Sequence, residues 1–438
     1  MKQGGQIQLM VSLTVAILML GCPETRAEDY TITSPDGSHS IGFTLSSNML
    51  TYRVLYHGTT ILSDSRLSMT LDNTDLSHNF QIDGARTDSK NGSWVPVVGS
   101  KSSYPDAYNE RVIQLSEVAG HKRRLELTFR AYNEGVAFRY AIPEQAVLTH
   151  FTVSSENTEF QFTDDHHVYW DDYPQAKYTK VKMSAMGNKS IRPLLVETGS
   201  HFVAIAEAGS LEHYAPMTLN RNGENRLVTG FRRGTVSARS PMTTPWRVVM
   251  VADKPGTLVE NHYLLQNLSA PCAMSDTSWI KPGKVWRSRL TTAGAKAIID
   301  YAAANNYQYV HYDAGWYGPE RAESSNPVTY IDAIDQQGVI GSARDRGIGL
   351  ICNINKIAMS KYDLDHTLST YEHWGIKGVK YGFVDWQSQS DMEFLYSAIK
   401  KAAQYHLIVD IHDNFRLTGI ERTYPHVLTV EGILGNEE

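Results

Sequence analysis

The sequence has few cysteines, no excess of basic charge and, beyond its first residues, no apolar run of membrane-spanning length. Its three cysteines, Cys22, Cys272 and Cys352, are too few for a disulfide framework. Lysine and arginine number 41 against 47 aspartates and glutamates, a formal net charge of −6. The basic surface of a nucleic-acid-binding protein is therefore missing. A neutral ligand such as a sugar is not excluded, and 42% hydrophobic residues are typical of a globular chain.

The apolar run at the N-terminus predicts export. Lys2 precedes an apolar stretch over residues 9–20, and Thr25-Arg26-Ala27 offers small residues at the −3 and −1 positions of a cleavage site. This pattern is typical of a secretory signal peptide, here residues 1–27, and the run is short for a membrane span. Met19-Leu20-Gly21-Cys22 also resembles a lipobox, so anchoring through a lipid on Cys22 is the alternative. We expect a secreted or periplasmic protein with no membrane span.

The first half of the mature chain has the pattern of an antiparallel β-sandwich. A length of 438 residues implies two or more domains at about 100–200 residues each. Short alternating runs, such as residues 124–130 with apolar side chains at every second position, are separated by turn residues such as Asn91-Gly92. Many such strands predict a large N-terminal sandwich over residues 28–275.

After residue 275 the pattern changes to alternating strands and helices, which predicts parallel βα units. Helices are expected at 293–305, 331–346 and 361–374, and strands at 307–313, 349–353, 378–383, 407–413 and 428–431. This alternation favours a (β/α)8 TIM barrel over residues 276–438. A closed barrel needs eight strands and we find about six when the count starts at Ser278-Trp279, so we expect an incomplete barrel, truncated after about six strands. A doubly wound sheet is the alternative.

Polar side chains follow these strands where the mouth of a barrel would lie. Asp313, Asp385, His412 and Asp413 are candidate site residues, and Trp316 is a candidate for stacking on a sugar. Paired carboxylates beside aromatic rings suit glycoside hydrolysis, in which one carboxyl protonates the leaving oxygen and another acts as base or nucleophile. The alternatives are a core position for Trp316 and an ion pair between Asp413 and Arg416.

Three carboxylates, Glu431, Glu437 and Glu438, crowd into eight residues near the end of the sequence. Like charges raise one another's pKa, as a general acid requires. The same crowding attracts Ca²⁺, a hard cation that takes oxygen ligands. The alternative is an exposed acidic loop.

At these residues the sequence resembles glycoside hydrolase family 97. The matching segments, in order along the chain, are Trp279-Ile280-Lys281-Pro282-Gly283-Lys284, Asp313-Ala314-Gly315-Trp316, Gly378-Val379-Lys380, Arg422-Thr423-Tyr424-Pro425, Glu431-Gly432 and Gly435-Asn436-Glu437. The resemblance implies a sandwich followed by a barrel. It also implies secreted, Ca²⁺-dependent, exo-acting α-glycosidases, mainly α-glucosidases and α-galactosidases, acting on oligosaccharides or other α-glycosides.

The resemblance also implies roles for individual residues. Glu437 matches the general acid, Glu431 a Ca²⁺ ligand, and Asp413 the position of a base that is also a Ca²⁺ ligand. The implied metal site is therefore Glu431, Glu437 and Asp413. Gly382 stands where retaining members have their nucleophilic aspartate. Asn355 stands near a second base glutamate of inverting members.

Because glycine offers no nucleophile, the first hypothesis is an inverting exo-α-glucosidase with acid Glu437 and base Asp413, in which Asp385 could assist. The second is a retaining-type α-galactosidase that uses Asp385 or Asp413 as its nucleophile. The third is a catalytically inactive glycan-binding relative. Asp313, Trp316, His412 and Asp385 are the expected substrate-binding residues, and the sequence gives no oligomeric state.

Overall fold

The computed structural model describes residues 1, 28–46 and 48–435. The predicted signal peptide and Cys22 lie outside these residues, apart from Met1, and so does Glu437. Among the described residues, no helix has both the length and the apolar character needed to cross a bilayer.

The N-terminal part is built from antiparallel strands, as the alternating pattern predicts. Its strands are β1 (Glu28–Thr33), β2 (His39–Ser46), β3 (Met49–Tyr56), β4 (Thr59–Arg66), β5 (Met69–Leu71), β6 (Thr74–Asp75), β7 (Phe80–Trp94), β8 (Tyr104–Glu117), β9 (Arg124–Tyr132), β10 (Gly135–Ile142), β11 (His150–Glu156), β12 (Glu159–Phe162), β13 (His167–Trp170), β14 (Thr179–Lys182), β15 (Leu194–Glu197), β16 (Phe202–Ala208), β17 (Met217–Arg221), β18 (Arg226–Phe231), β19 (Val236–Arg239), β20 (Met242–Thr243) and β21 (Trp246–Ala252). Short 3-10 turns lie at Ala146–Leu148 and Met183–Ala185.

These strands form three sheets. A seven-stranded sheet has the order β1-β2-β3-β4-β12-β18-β17, and a ten-stranded sheet runs β14-β13-β15-β16-β21-β10-β9-β8-β7 with β20 beside β10. A four-stranded sheet, β19-β11-β5-β6, accompanies them. Strand β9 shows why the chain folds this way: Leu125, Leu127 and Phe129 alternate along it and are buried in the main apolar core.

A buried ion-pair network crosses this core. The Arg247 guanidinium donates two hydrogen bonds to Glu156, of 2.7 and 2.6 Å, and one of 2.7 Å to Glu207. Arg192 pairs with the other oxygen of Glu207 at 2.5 Å, and the Tyr214 hydroxyl donates to Glu156. Strands β11, β16 and β21 contribute the central three residues, so the network joins two sheets. A buried charge is tolerated only when it is paired and hydrogen-bonded.

The C-terminal part confirms the predicted parallel architecture. Its strands are β22 (Val285–Arg287), β23 (Tyr309–Tyr312), β24 (Gly349–Asn355), β25 (Gly378–Gly382), β26 (Ile408–His412) and β27 (Val427–Glu431). The helices are α1 (Pro255–Glu260) and α2 (Tyr263–Asn267) in the connection, then α3 (Thr292–Ala304), α4 (Gln336–Asp345), α5 (Lys356–Lys361), α6 (Leu364–Trp374), α7 (Gln389–Gln404) and α8 (Ile420–Thr423). The six strands pair in sequential order, all parallel, as in an incomplete barrel and unlike a doubly wound sheet.

Two helix predictions were wrong at their boundaries. The helix expected over 331–346 begins only at Gln336, because Asp335 caps it by accepting a hydrogen bond from the Gly338 amide. The helix expected over 361–374 is interrupted at Tyr362, where Asp363 caps the new helix α6. In both cases an aspartate side chain satisfies the free amides of a helix N-terminus, which fixes the start of the helix there.

The two parts are joined by hydrogen bonds between backbone groups and buried side chains. Gly209 and Thr418 exchange two bonds of 2.8 Å, and the Leu211 amide donates to the Tyr396 hydroxyl on α7. Arg422 on α8 donates to the carbonyls of residues 266, 267 and 269. Arg422 is therefore a partly buried structural residue at the junction of the two parts. The N-terminal part is thereby held against the barrel beside its mouth.

Replacing Arg247 by alanine tests the energetic role of the buried network. The variant leaves Glu156 buried without its cation and Glu207 with Arg192 alone, so the free energy of unfolding should fall by about 3–5 kcal/mol. Urea denaturation measures this loss. The matched control is Arg53→Ala, which removes an exposed pair with Asp29 and should cost about 0–1 kcal/mol. Equal losses in the two variants would contradict the role given to Arg247.

Candidate active site

The carboxyl ends of the parallel strands bring the predicted site residues to one edge of the sheet. In the register, Asn355 on β24 lies beside Gly382 on β25, and His412 on β26 lies beside Glu431 on β27. Asp313 follows β23 and Asp413 follows β26. The structure therefore brings together Asp313, His412, Asp413 and Glu431, as expected for a barrel mouth.

A buried lysine, which sequence reasoning did not place in the site, links two of these carboxylates. Lys380 on β25 forms an ion pair with Glu431, and its Nζ lies 3.7 Å from Oδ1 of Asp313. Burial opposes its charge, but Asp313 and Glu431 raise the pKa of Lys380 above its ordinary value. Asp313 is also partly buried, yet Lys380 and His311 lower its pKa. A charged residue in the middle of an apolar strand was the signal in the sequence.

His412 connects the mouth to the N-terminal part. The Gln175 side-chain amide donates a 3.1 Å hydrogen bond to Nε2 of His412, which places the ring proton of a neutral imidazole on Nδ1. Nε2 also lies 3.8 Å from Oε1 of Glu431. Gln175 belongs to the loop between β13 and β14, and Arg416 fastens the same loop by bonding to the Pro174 carbonyl and the Tyr178 hydroxyl.

Asp413 keeps one carboxylate oxygen available for chemistry. Its backbone has a positive φ of 68°, a conformation that aspartate tolerates better than most residues. Its Oδ2 accepts a 2.8 Å hydrogen bond from the Val384 amide, which orients the carboxylate. Its Oδ1 lies 3.8 Å from Nδ1 of His412. With 17% of its side chain exposed, Asp413 can meet a water molecule or a substrate at the mouth.

Asp385 is fixed by partners on both sides. Its Oδ1 accepts a 2.5 Å hydrogen bond from the Asn414 side chain, and its Oδ2 pairs with Arg233 of the N-terminal part at 2.5 Å. Its side chain is 38% exposed. A contact between Asp385 and substrate stays a prediction, and any such contact competes with Arg233.

The stacking role expected of Trp316 is corrected by the structure. Its side chain is fully buried, and its Nε1 donates a 2.7 Å hydrogen bond to the Asn353 carbonyl on β24. The rings of Tyr330 and Tyr371 pack beside it. Gly315, at a φ of +93°, allows the sharp turn that directs the indole inward. Trp316 thus occupies the core, which was the alternative to a stacking role. Its hydrogen bond to Asn353 holds β24, one of the strands that end at the site.

Gly382 is closely surrounded by polar side chains. A Cβ at this position would lie 2.9 Å from Oδ1 of Asn353 and 3.3 Å from Nδ1 of His412. Asn353 is fully buried, and within the described chain its side-chain nitrogen and oxygen have no hydrogen-bond partner. The position where a nucleophilic aspartate was expected in a retaining enzyme therefore holds no side chain and offers little room for one.

The predicted metal ligands fit a cation poorly as far as the structure describes them. Of the three, Glu437 lies outside the described residues, and Glu431 already pairs with Lys380. Asp413 uses one oxygen for the Val384 amide. Within residues 28–46 and 48–435, no group of three or more His, Cys, Asp or Glu side chains is arranged to hold a metal ion. The calcium site stays a prediction, and no step of the chemistry is derived through it.

Comparison with known proteins decides the family. A profile of the glycosyl-hydrolase 97 N-terminal region matches residues 32–271, and one of glycoside hydrolase 97 matches residues 276–433. The chain belongs to glycoside hydrolase family 97. It is therefore a glycosidase.

Two relatives show the same family. The chain is 27% identical over 461 residues to a probable retaining alpha-galactosidase of Streptomyces bingchenggensis, covering 99% of this chain and 70% of the relative. It is 28% identical over 485 residues to a retaining alpha-galactosidase of Bacteroides thetaiotaomicron, covering 98% and 71%.

Solved structures show the same fold. A family 97 enzyme from Pseudoalteromonas sp. strain K8, in complex with acarbose, superposes with a TM-score of 0.86 at 23% identity, covering 93% of this chain and 70% of that one. A beta-arabinopyranosidase superposes with a TM-score of 0.84 at 21% identity, covering 94% and 71%.

Replacing Gly382 by alanine should impair the site without unfolding the chain. The added methyl group would push on Asn353 and His412, and small displacements of site residues lower kcat/KM on the order of 10–100-fold. Hydrolysis of an aryl α-glycoside measures the effect. The matched control is Gly341→Ala on α4, where a Cβ would meet nothing within 4 Å. Alanine there should leave activity intact and raise stability by roughly 0.5–1 kcal/mol. Full activity of Gly382→Ala would show that the contact at Gly382 does not matter.

Proposed function

We propose that the chain is an inverting exo-acting α-glycoside hydrolase, with α-glucosides as its leading substrates. The observation that carries this proposal is Gly382. The end of β25 lacks a carboxylate and is closed by Asn353 and His412, so a nucleophile from that strand is missing. Asp413, at the end of the next strand, presents a carboxylate oxygen to the same mouth. In inversion, water needs room between the base and the sugar, and the short aspartate side chain leaves that room.

The assigned roles follow from the chemistry of each group. Asp413, oriented by the Val384 amide, would take a proton from water attacking the anomeric carbon. Glu437 would donate a proton to the departing glycosidic oxygen from the opposite side. Asp313, His412 and Asp385 would bind sugar hydroxyls at the mouth. The calcium expected at Glu431, Glu437 and Asp413 stays a prediction, and none of these roles depends on it.

A retaining-type α-galactosidase is the second candidate, favoured by one observation. The two relatives at 27% and 28% identity are both named retaining alpha-galactosidases. In this reading Asp413 or Asp385 would attack the anomeric carbon directly. Asp385 would first have to leave Arg233 and Asn414, so Asp413 is the better placed of the two. The structure solved with acarbose supports an oligosaccharide substrate in either reading.

The stereochemistry of the first product separates the two candidates. Proton NMR during hydrolysis of aryl α-glucoside and aryl α-galactoside should show the β-anomer first if the enzyme inverts. The α-anomer first would overturn inversion and make Asp413 or Asp385 the nucleophile. A parallel reaction with a Ca²⁺ chelator should be slower if calcium is required. Sugar binding without release from either substrate would identify the inactive glycan-binding relative.

Variants of the two proposed catalytic residues should respond differently to the leaving group. Glu437→Gln should lose about 10²–10⁴-fold on an α-linked disaccharide, but much less on an aryl glycoside whose leaving group needs no proton. Asp413→Asn should lose similar activity on both substrates, because water activation is needed in each. Glu323→Gln, at an exposed carboxylate, is the matched control and should behave like the parent. Near-native turnover by Glu437→Gln on the disaccharide would remove Glu437 from the acid role.

A further inference from the structure

One carboxyl group lies below the mouth and has no role in the chemistry above. Asp410 sits on β26, opposite Lys380 of β25 and Thr429 of β27 in the parallel register. It lines a cavity of about 560 Å³ inside the half-barrel, together with His311 and Lys284. Its Oδ1 has no hydrogen-bond partner among the described residues. The run of apolar residues around it on β26 makes an acid there costly unless something balances its charge.

The charges around Asp410 come from four other strands of the parallel sheet. Lys380 lies on β25, Glu431 ends β27, and Asp313 follows β23. Arg287 of β22 adds a second cation through a 3.1 Å contact with Asp313. His311 on β23 is neutral, because burial lowers its pKa to about 4. With Asp410 protonated, Lys380 faces the carboxylates of Asp313 and Glu431. With Asp410 ionised, the same ammonium faces three carboxylates.

The crowding of carboxylates around Lys380 agrees with the proton affinity of the Asp410 carboxyl. Burial raises the pKa of the Asp410 carboxyl to about 7; Lys380 opposes this rise, and Glu431 and Asp313 add to it. Around neutral pH the protein can therefore hold or release one proton directly beneath its site. Such a shift marks a group whose charge the surrounding cluster does not readily accept.

We propose that Asp410 is a positioning residue whose proton leaves the Lys380 ammonium free to hold Glu431 and Asp313 in place at the mouth. The loss of that proton turns Asp410 into a third anion beside Lys380. It then competes with Glu431 for the ammonium, and the mouth loosens. The inference rests on the proposed placement of Asp313 at the substrate, with Glu431 beside it at the mouth, but not on whether hydrolysis inverts or retains.

Asp410→Asn tests this role, because asparagine keeps the shape of the protonated acid and never ionises. The measurement is kcat/KM of the full chain on an aryl α-glycoside as a function of pH. One pH unit above the pKa of Asp410, the parent enzyme should keep about a tenth of its plateau activity, since about a tenth of the group is still protonated. Asp410→Asn should keep most of its own plateau there, so its alkaline limb moves to higher pH.

A matched control separates this effect from a general loss of a buried carboxylate. Asp391 is buried and pairs with Lys356, away from the Lys380 cluster. Asp391→Asn should leave the alkaline limb where it is in the parent enzyme. A folded Asp410→Asn enzyme with an unmoved limb would overturn the proposal. So would activity lowered by the same factor at every pH, which is the result expected of a purely structural residue.

A second readout does not need turnover and separates failure of this proposal from failure of the proposed function. Carbon NMR of the protein labelled in its aspartate carboxyls should show one resonance that titrates near pH 7 and disappears in Asp410→Asn, or in Asp410→Ser if the first variant does not fold. A titration near pH 4 would overturn the proposal even in an active enzyme. If the resonance titrates near pH 7 but neither aryl α-glucoside nor aryl α-galactoside is hydrolysed, the proposed function fails.

Thermal unfolding also tests whether Asp410 ionises near pH 7, because the direction in which stability should change with pH can be stated in advance. A folded-state pKa raised above the unfolded value stabilises the protein at low pH, and this contribution is lost as pH rises through the folded pKa. For Asp410 that loss falls between about pH 4 and pH 7. The melting temperature of Asp410→Asn minus that of the parent should therefore increase over this interval. A constant difference would contradict an acid that ionises beneath the mouth.

Discussion

The mouth of the barrel depends on one buried ammonium group. Lys380 is among the buried charged residues of the chain. The carboxylates of Asp313 and Glu431, from strands to either side, stabilise its charged form. An unpaired ammonium in this position would be costly, and two unpaired carboxylates would repel each other. The lysine therefore both needs the acidic residues and keeps them close together. Side chains that a sugar could meet are consequently held at the ends of strands or directly after them.

The second constraint is that the N-terminal part supplies part of the mouth. Gln175 bonds to His412, Arg233 pairs with Asp385, and the Pro174 carbonyl accepts from Arg416. Each of these contacts fixes a barrel residue through a residue more than 140 positions away in the sequence. The antiparallel sheets, with the Arg247 network in their core, thus serve as a rigid support for one wall of the site.

Much of the fold could be predicted from local patterns, because periodicity reports directly on burial. The alternation in residues 124–130 predicts β9, and the strand-helix alternation after residue 275 predicts the parallel sheet. Helix starts were less predictable, since caps at Asp335 and Asp363 use a single side chain that periodicity does not register. In the site, Asp413, His412 and Glu431 were predictable as polar residues at strand ends. Trp316 was not, because an aromatic residue after a strand can face either the core or the solvent.

The contacts across the two parts could not be predicted from the sequence at all. The local pattern around Gln175 or Arg233 does not indicate His412 or Asp385 as its partner. Lys380 is recognisable in the sequence only as a charged residue inside an apolar strand. Pairings of this kind also limit which N-terminal and barrel parts can be combined in one functional chain. Exchanging the sheets of one relative for those of another would replace Gln175 and Arg233, the partners of His412 and Asp385. The two parts are therefore coupled in the site, and a change at Gln175 or Arg233 would alter it even if every barrel residue were kept.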